Sequence, residues 1–458
     1  MRQTRRPSPL DDSRPIWQSL LIFLIPLMLS NVLQSLGQTV GFIYLGRFLG
    51  PQALAAAGNL FPIIFLMISF LIGIGNASSI LIGQAHGAGD SERMRRVAGT
   101  TLGVGLSLGV IAGALCAIFV RPLLHLIGTP ADIFDMSAAY ARVSFGGFPL
   151  LFTYLLYSTF LRGTGDSKTP FYSLIVSTAL TMVVTPALIL GWFGLPKLGV
   201  VAGAAGNLIA TALTLVILGM TLVRERNPLA PSRELLRTML PNARLVSTLL
   251  RLGAPMGVQM IMVSLAEIAV ITFVNRFGSD ATAAYAAVNQ IGSYVQFPAL
   301  SIGIAASIFG AQSIGAGRAE LIGPVIRSGI ALNYVIEGAL IFIVYAFANV
   351  ILGMFLTSEH THHIARELLN ITLWSYAIFG NATVISGIVR SSGTVLVPML
   401  ISIFSIWGIE VPVAWYLSHH IGLSGVWYGY PAAFIVNVTL QFAFYELVWR
   451  RKPVRAIR

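Results

Sequence analysis

Charge is what this chain has least of. Only 10% of its 458 residues are Asp, Glu, Lys or Arg, against 56% hydrophobic, and the mean hydropathy is +0.80. A soluble globular chain carries roughly 25% charged residues, so a water-exposed surface cannot be covered here. Soluble enzymes and nucleic-acid binders are excluded despite the formal charge of +12, and disorder is excluded by the apolar content. Cysteine is nearly absent as well: Cys116 stands alone, so no intramolecular disulfide can form. The short alternating segments of an outer-membrane barrel are missing. What remains is long apolar runs, and at roughly 20 apolar residues per helix this length holds about a dozen spans. The chain reads as an all-α integral membrane protein. Arg5-Arg6 resembles an export signal, but the apolar run from Ile16 to Phe42 is too long for a signal core.

Apolar runs place spans near 16–42, 53–82, 97–120, 138–161, 169–192 and 199–222, then 252–275, 282–311, 324–349, 369–389, 396–418 and 423–448. The expected organisation is a basic tail (1–15), a six-helix lobe (16–223), a polar linker (224–251), a second six-helix lobe (252–448) and a second basic tail (449–458). With both termini cytoplasmic, 23 of the 29 Lys and Arg fall on the inner side, as the positive-inside rule requires of a multi-pass protein of the cell (inner) membrane.

The second half repeats the first. At an offset of 228 positions, Ile74–Glu92 and Ile302–Glu320 share 10 of 19 residues, including Gln84/Gln312 and Gly87-Ala88-Gly89/Gly315-Ala316-Gly317. The same offset pairs Gly50 with Gly278 and Arg162-x-x-Gly165 with Arg390-x-x-Gly393, and at 229 Pro26 meets Pro255. Six spans per copy is an even number, so both copies enter the membrane in the same sense. Such parallel repeats, two facing lobes around a cleft, occur in transporters.

Chemistry-bearing motifs are few. Gly163-Thr-Gly-Asp-Ser-Lys-Thr169 lacks the phosphate-loop spacing and no strand precedes it. His360, His362 and His363 are expected in one outer loop and His419-His420 in another. Neither group has ligands at structural-metal spacing. No nucleophile–base pair is evident, so no enzyme, metal site or cofactor is expected.

Acids are nearly excluded from the spans, which makes the exceptions candidates for function. They are Glu267, Glu337 and Glu410, in spans 7, 9 and 11, and counted along straight helices they fall at a shared depth of roughly 20–22 Å. The N-terminal copy has none there: Glu267 corresponds to Gln38 and Glu337 to Gly109. A carboxylate in a poorly hydrated cleft can gain and lose a proton near neutral pH. Charged, it attracts a cation; neutral, it passes an occluded state cheaply. One group thus makes proton entry and cation exit mutually exclusive. Glu337 is also open to a local bonding role.

Polar residues on helical spacing mark a candidate substrate cavity: Asn31, Gln34 and Gln38 on span 1; Gln259 and Ser264 on span 7; Tyr294 on span 8; and Asn370, Trp374 and Asn381 on span 10. Amides with aromatics suit amphipathic organic cations, which stack on rings.

Together these features resemble the multidrug and toxic compound extrusion (MATE) family. The resemblance is carried by Pro26, Leu45-Gly-Arg-Phe-Leu-Gly50, Gln84-x-x-Gly-Ala-Gly89 and its copy Gln312-x-x-Gly-Ala-Gly317, Arg162-Gly-Thr-Gly-Asp166, Arg390-Ser-Ser-Gly393 and Pro255. It covers about residues 15 to 450 and implies a V-shaped two-lobe exporter, expected as a monomer in lipid, that exchanges drugs or organic cations for inward H⁺ or Na⁺. Three positions depart from the family. Gly41 stands where the proton-coupled branch has an Asp, and Thr181-x-x-x-Thr185-Pro186 replaces Asn-x-x-x-Asp-Pro. Phe379 replaces the Asp of the sodium-coupled branch, whose span-7 Glu would fall near Val263. Coupling is therefore expected to rest on Glu267 with Glu410. H⁺ is favoured, since a Na⁺ site needs more oxygen ligands than two carboxylates. The alternative is a lipid or lipid-linked oligosaccharide flippase of the same architecture, which would need a strongly cationic cavity.

Overall fold

Apolar runs of this length must satisfy their backbone groups internally, and helices do so. The computed structural model describes residues 8–11, 13–240, 242–356, 358–453 and 455–457, and among them no strand occurs. Arg2, Arg5-Arg6 and Arg458 lie outside the described residues.

Among the described residues ten helices are long and apolar enough to cross a membrane, and two bent pairs bring the total to as many as 12. In chain order they are α1 (Ile16–Leu49), α2 (Pro51–Gly87), α3 (Ser91–Ile118), α4 (Phe134–Gly146 with Phe148–Gly163), α5 (Lys168–Leu190) and α6 (Val201–Arg224). The second series is α7 (Ala243–Asn275), α8 (Ser279–Gly315), α9 (Ala319–Ala346), α10 (Glu359–Thr372 with Ser375–Ser391), α11 (Leu396–Ile421) and α12 (Leu423–Trp449).

Three expectations need correction. Spans 4 and 10 are not straight: α4 bends by 50° at Gly147 and α10 by 43° between Thr372 and Ser375. The polar linker is shorter than expected, because helix α7 begins at Ala243, ahead of its apolar run, with exposed Arg244 and Arg251 in its first turns. The histidines are not in loops. His360, His362 and His363 lie in the first turns of α10, and His419 and His420 end α11. There the two rings bond back to the carbonyls of Trp415 and Tyr416, at 2.7 and 2.8 Å.

The repeat is visible in the backbone. Gly50/Gly278 (φ 89° and 98°), Gly89/Gly317 (71° and 72°) and Gly165/Gly393 (83° and 88°) adopt matching left-handed conformations at matching helix ends. After Arg162 and Arg390 the amides of Gly165 and Gly393 each donate to the arginine carbonyl at 2.8 Å. Both loops are helix caps of the kind glycine favours.

The chain forms two compact units. One holds the described parts of Met1–Met28, Gly83–Gly89 and Val258–Arg458; the other holds Leu29–Ile82 and Asp90–Gly257. In the second, Gly105, Gly109 and Gly113 form one face of α3, where a Cβ would strike Leu156, the Pro149 backbone and the Phe145 carbonyl of α4. Glycine at four-residue spacing lets membrane helices approach closely. In the first unit, α8 is the most enclosed of the spans. It crosses α10 where a Cβ on Gly303 would stand 2.9 Å from Thr383 Cβ. Around that crossing Phe23, Ile302, Phe309 and Ile385 build one core, and Trp427, Tyr285 and Leu369 build another.

Candidate functional site

The acids predicted to couple transport all belong to the first unit, and each is held differently. Glu410 is 6% exposed and closes a π-helical stretch, Phe404–Glu410, inside α11. Such stretches widen the helix locally and recur at functional sites. The straight-helix depth count therefore does not apply to the residues leading into Glu410. Gly429 of α12 makes room for it, since a Cβ there would lie 2.8 Å from the Glu410 carbonyl oxygen. Glu267, by contrast, lies on an exposed face of α7, next to buried Ala266 and a turn before buried Val270.

Glu337 is fully buried on α9. Its Oε1 accepts the Ala299 N–H of α8 at 3.0 Å. Ala299 follows Pro298, a helix-interior proline that disturbs the local backbone ladder. Among the described residues Glu337 Oε2 has no partner. Its position matches a helix-to-helix bond better than a free ion-binding group.

Three tyrosines lie within electrostatic reach of these acids, and sequence reasoning missed all three. The hydroxyls of Tyr285 (α8) and Tyr430 (α12) meet at 2.9 Å. Glu267 and Glu410 lie within electrostatic reach of each other and of Tyr285. Tyr376, on α10, is within reach of Tyr285 and of all three acids. Its hydroxyl would be 2.7 Å from a Cβ on Gly292, so that glycine leaves space for the phenol. The available signal was the presence of tyrosines inside the membrane spans, since a buried phenol usually finds a polar partner.

The expected cavity residues separate into different roles. Asn370 and Trp374 are exposed on the α10 bend, and Ser264 and Tyr294 are half-buried, Tyr294 edge-on to Phe297 with centroids 5.9 Å apart. Asn381 is instead drawn into the protein. Its Nδ2 donates to Tyr334 Oη at 2.7 Å and its Oδ1 accepts from Asn333 Nδ2 at 3.3 Å. The bend breaks the straight stripe that placed Asn381 beside Trp374. Gln259 Oε1 accepts from Arg390 Nη2 at 2.8 Å, which gives this amide a structural partner. In the other unit Gln34 and Gln38 are exposed and Asn31 is half-buried. Gly41 has open space where its side chain would stand.

Among the described residues no group of three or more His, Cys, Asp or Glu is placed to hold a metal ion. The arrangement is one exposed and one enclosed carboxylate beside a phenol cluster.

Comparison with known proteins gives a consistent picture. The family described as MatE matches the chain twice, over residues 26–187 and 255–416. A Bacillus subtilis protein named probable multidrug resistance protein YoeA is 53% identical over 445 residues, covering 96% of each chain. A Thermotoga maritima protein named probable multidrug resistance protein NorM is 25% identical over 97% of this chain and 96% of its own length. Among solved structures, a mutant of the Vibrio cholerae MATE transporter VcmN superposes with a TM-score of 0.88 at 19% identity, covering 96% of this chain and 98% of that one.

Proposed function

Since the chain belongs to the MatE family of multi-pass membrane transporters, we propose that it is a proton-coupled antiporter exporting amphipathic organic cations. It works by alternating access, as a monomer of two six-helix lobes (16–223 and 252–448). It lies in the plasma membrane with both termini cytoplasmic, and needs no cofactor beyond the coupling ion. The observation that carries this reading is the pairing of exposed Glu267 with enclosed Glu410.

Two carboxylates within reach of each other resist being charged together in a poorly hydrated site. One bound cation or one bound proton relieves that repulsion, and the site does not need both. Substrate binds to the doubly charged pair; a proton arriving from outside takes up one of the two negative charges and releases the substrate. The singly protonated pair, with one negative charge in place of two, then crosses the occluded state at a lower electrostatic cost. Binding energy for the organic part comes from exposed aromatics such as Trp374, over which a cation stacks for about 0.5–2 kcal/mol.

The test is efflux of a fluorescent organic cation from proteoliposomes under an imposed ΔpH or ΔNa⁺. The proposal expects ΔpH alone to drive transport. Drive by ΔNa⁺ alone overturns the proton assignment, and indifference to both gradients overturns antiport.

A further inference from the structure

A cavity of about 570 Å³ opens at the polar ends of α3 and α6, within the second unit and with none of the coupling acids in its wall. Arg95, Arg226 and Arg233 line it, together with Asn227, Ser232 and Glu234. Glu234 pairs with Arg95, so three guanidinium groups face a single carboxylate. Asn227 is only 7% exposed. Its Oδ1 accepts the Leu229 N–H at 3.0 Å, and its Nδ2 is enclosed with no acceptor among the described residues. The wall thus carries excess positive charge and a buried donor that lacks an acceptor.

Arg226 is unusual in its backbone. Among the described residues it is the one non-glycine with positive φ, at 51°. Its N–H bonds to the Val223 carbonyl at 3.1 Å, and the Asn227 N–H to that of Leu222 at 3.0 Å. That is the helix-ending cap which elsewhere in this chain uses Gly165 or Gly393. An arginine is retained where glycine would sit without strain.

The same loop borders a second feature. Pro231 folds back onto α6, 3.5 Å from where a Cβ of Gly219 would stand. Beside it runs an apolar groove of about 510 Å³ along Leu215, Val216, Gly219, Met220 and Val223. Val216, Met220 and Val223 are each more than half exposed. A basic, donor-rich cavity therefore adjoins an apolar groove on the flank of a membrane span.

We infer that this is a binding site for an acidic glycerophospholipid, with its phosphate among Arg226, Arg233 and Asn227 and an acyl chain in the α6 groove. Guanidinium groups bind phosphate oxygens through paired, charge-assisted hydrogen bonds. Basic pockets at the membrane surface select anionic head groups. The groove supplies what a soluble phosphate lacks, namely apolar area to bury.

The experiment uses the full chain, purified and delipidated in detergent. Native mass spectrometry and thermal unfolding are read with added phosphatidylglycerol, phosphatidylcholine or inorganic phosphate. Phosphatidylglycerol is expected to bind and raise the unfolding temperature by several degrees, with the other two giving little. Stabilisation by inorganic phosphate alone, or equally by phosphatidylcholine, overturns the assignment. The double variant Arg226→Gln/Arg233→Gln is expected to bind phosphatidylglycerol roughly tenfold more weakly. Arg237→Gln/Arg244→Gln, the same charge change at exposed positions outside the cavity, is expected to leave binding intact. Equal loss in both pairs overturns a local site. Arg226→Gly keeps misfolding from mimicking the effect: it relieves the cap, so the lipid-free protein unfolds no earlier than the wild type while the lipid shift shrinks. An undiminished lipid shift in Arg226→Gly overturns the role given to that side chain.

Discussion

Gly87 lies against the backbone of Gln312, and its copy Gly315 lies in the same way against Gln84; a Cβ on either glycine would collide with the partner's main chain. The two Gly-Ala-Gly turns thus meet through a repeat-related contact inside one unit. Each glutamine also holds a terminal segment. Gln84 Oε1 accepts the Ile457 N–H at 2.8 Å while its Nε2 donates to the Ser391 carbonyl at 2.7 Å, and Gln312 Oε1 accepts from Ser8 Oγ at 2.8 Å.

Because backbone cannot give way as a flexible side chain can, Gly87→Ala and Gly315→Ala should each destabilise the protein by about 1–3 kcal/mol. Gly338→Ala is the control. It faces open space in the middle of α9 and should fall within about 1 kcal/mol of wild type, on the stabilising side. Thermal unfolding in detergent separates the two outcomes.

Glu337 should behave as a helix-to-helix bond. Glu337→Gln keeps an acceptor for the Ala299 N–H and should retain both stability and coupled efflux. Glu337→Ala leaves that N–H buried and unpaired, at a cost of about 1–3 kcal/mol for the donor alone. Unfolding temperatures together with efflux rates check this. Loss of coupling in a stable Glu337→Gln protein would move this acid into the transport site.

Much of this architecture could be read from residue order. The repeat was written in Gly50/Gly278, Gly87/Gly315 and Gly165/Gly393, because a turn with positive φ or a backbone-to-backbone approach tolerates little but glycine. The spans were legible because lipid demands continuous apolarity. The bends at Gly147 and between Thr372 and Ser375 were not, since apolar windows carry no information about axis direction. The start of α7 was hidden for the opposite reason: Arg244 and Arg251 are polar yet helical, so the end of apolarity was not the end of the helix. At the site, the acids stood out against an apolar background. The π-helical stretch before Glu410 is a compromise with Gly429 on α12, a contact no local pattern records. The tyrosine cluster was equally hidden, because α8, α10 and α12 are distant in sequence.

The phenol pair should tune the site without being required for it. Tyr285→Phe removes one hydroxyl of the 2.9 Å contact with Tyr430 and should cost about 1 kcal/mol of stability. Cation efflux should persist, with its pH dependence displaced, because a dipole beside Glu267 and Glu410 has been deleted. A pH–rate profile of the variant against the wild type reads this. An unchanged profile would detach the tyrosines from the coupling site.

The most direct measurement compares ΔpH-driven efflux of a fluorescent cation from proteoliposomes holding wild type, Glu267→Gln or Glu410→Gln, with folding of each confirmed by thermal unfolding. Glutamine preserves shape and hydrogen-bonding capacity but neither holds a charge nor exchanges a proton at these pH values. The account predicts that both variants stay folded and that each loses proton-driven efflux by at least about tenfold, a loss of roughly 1.4 kcal/mol or more. Undiminished coupled efflux in both folded variants would contradict it.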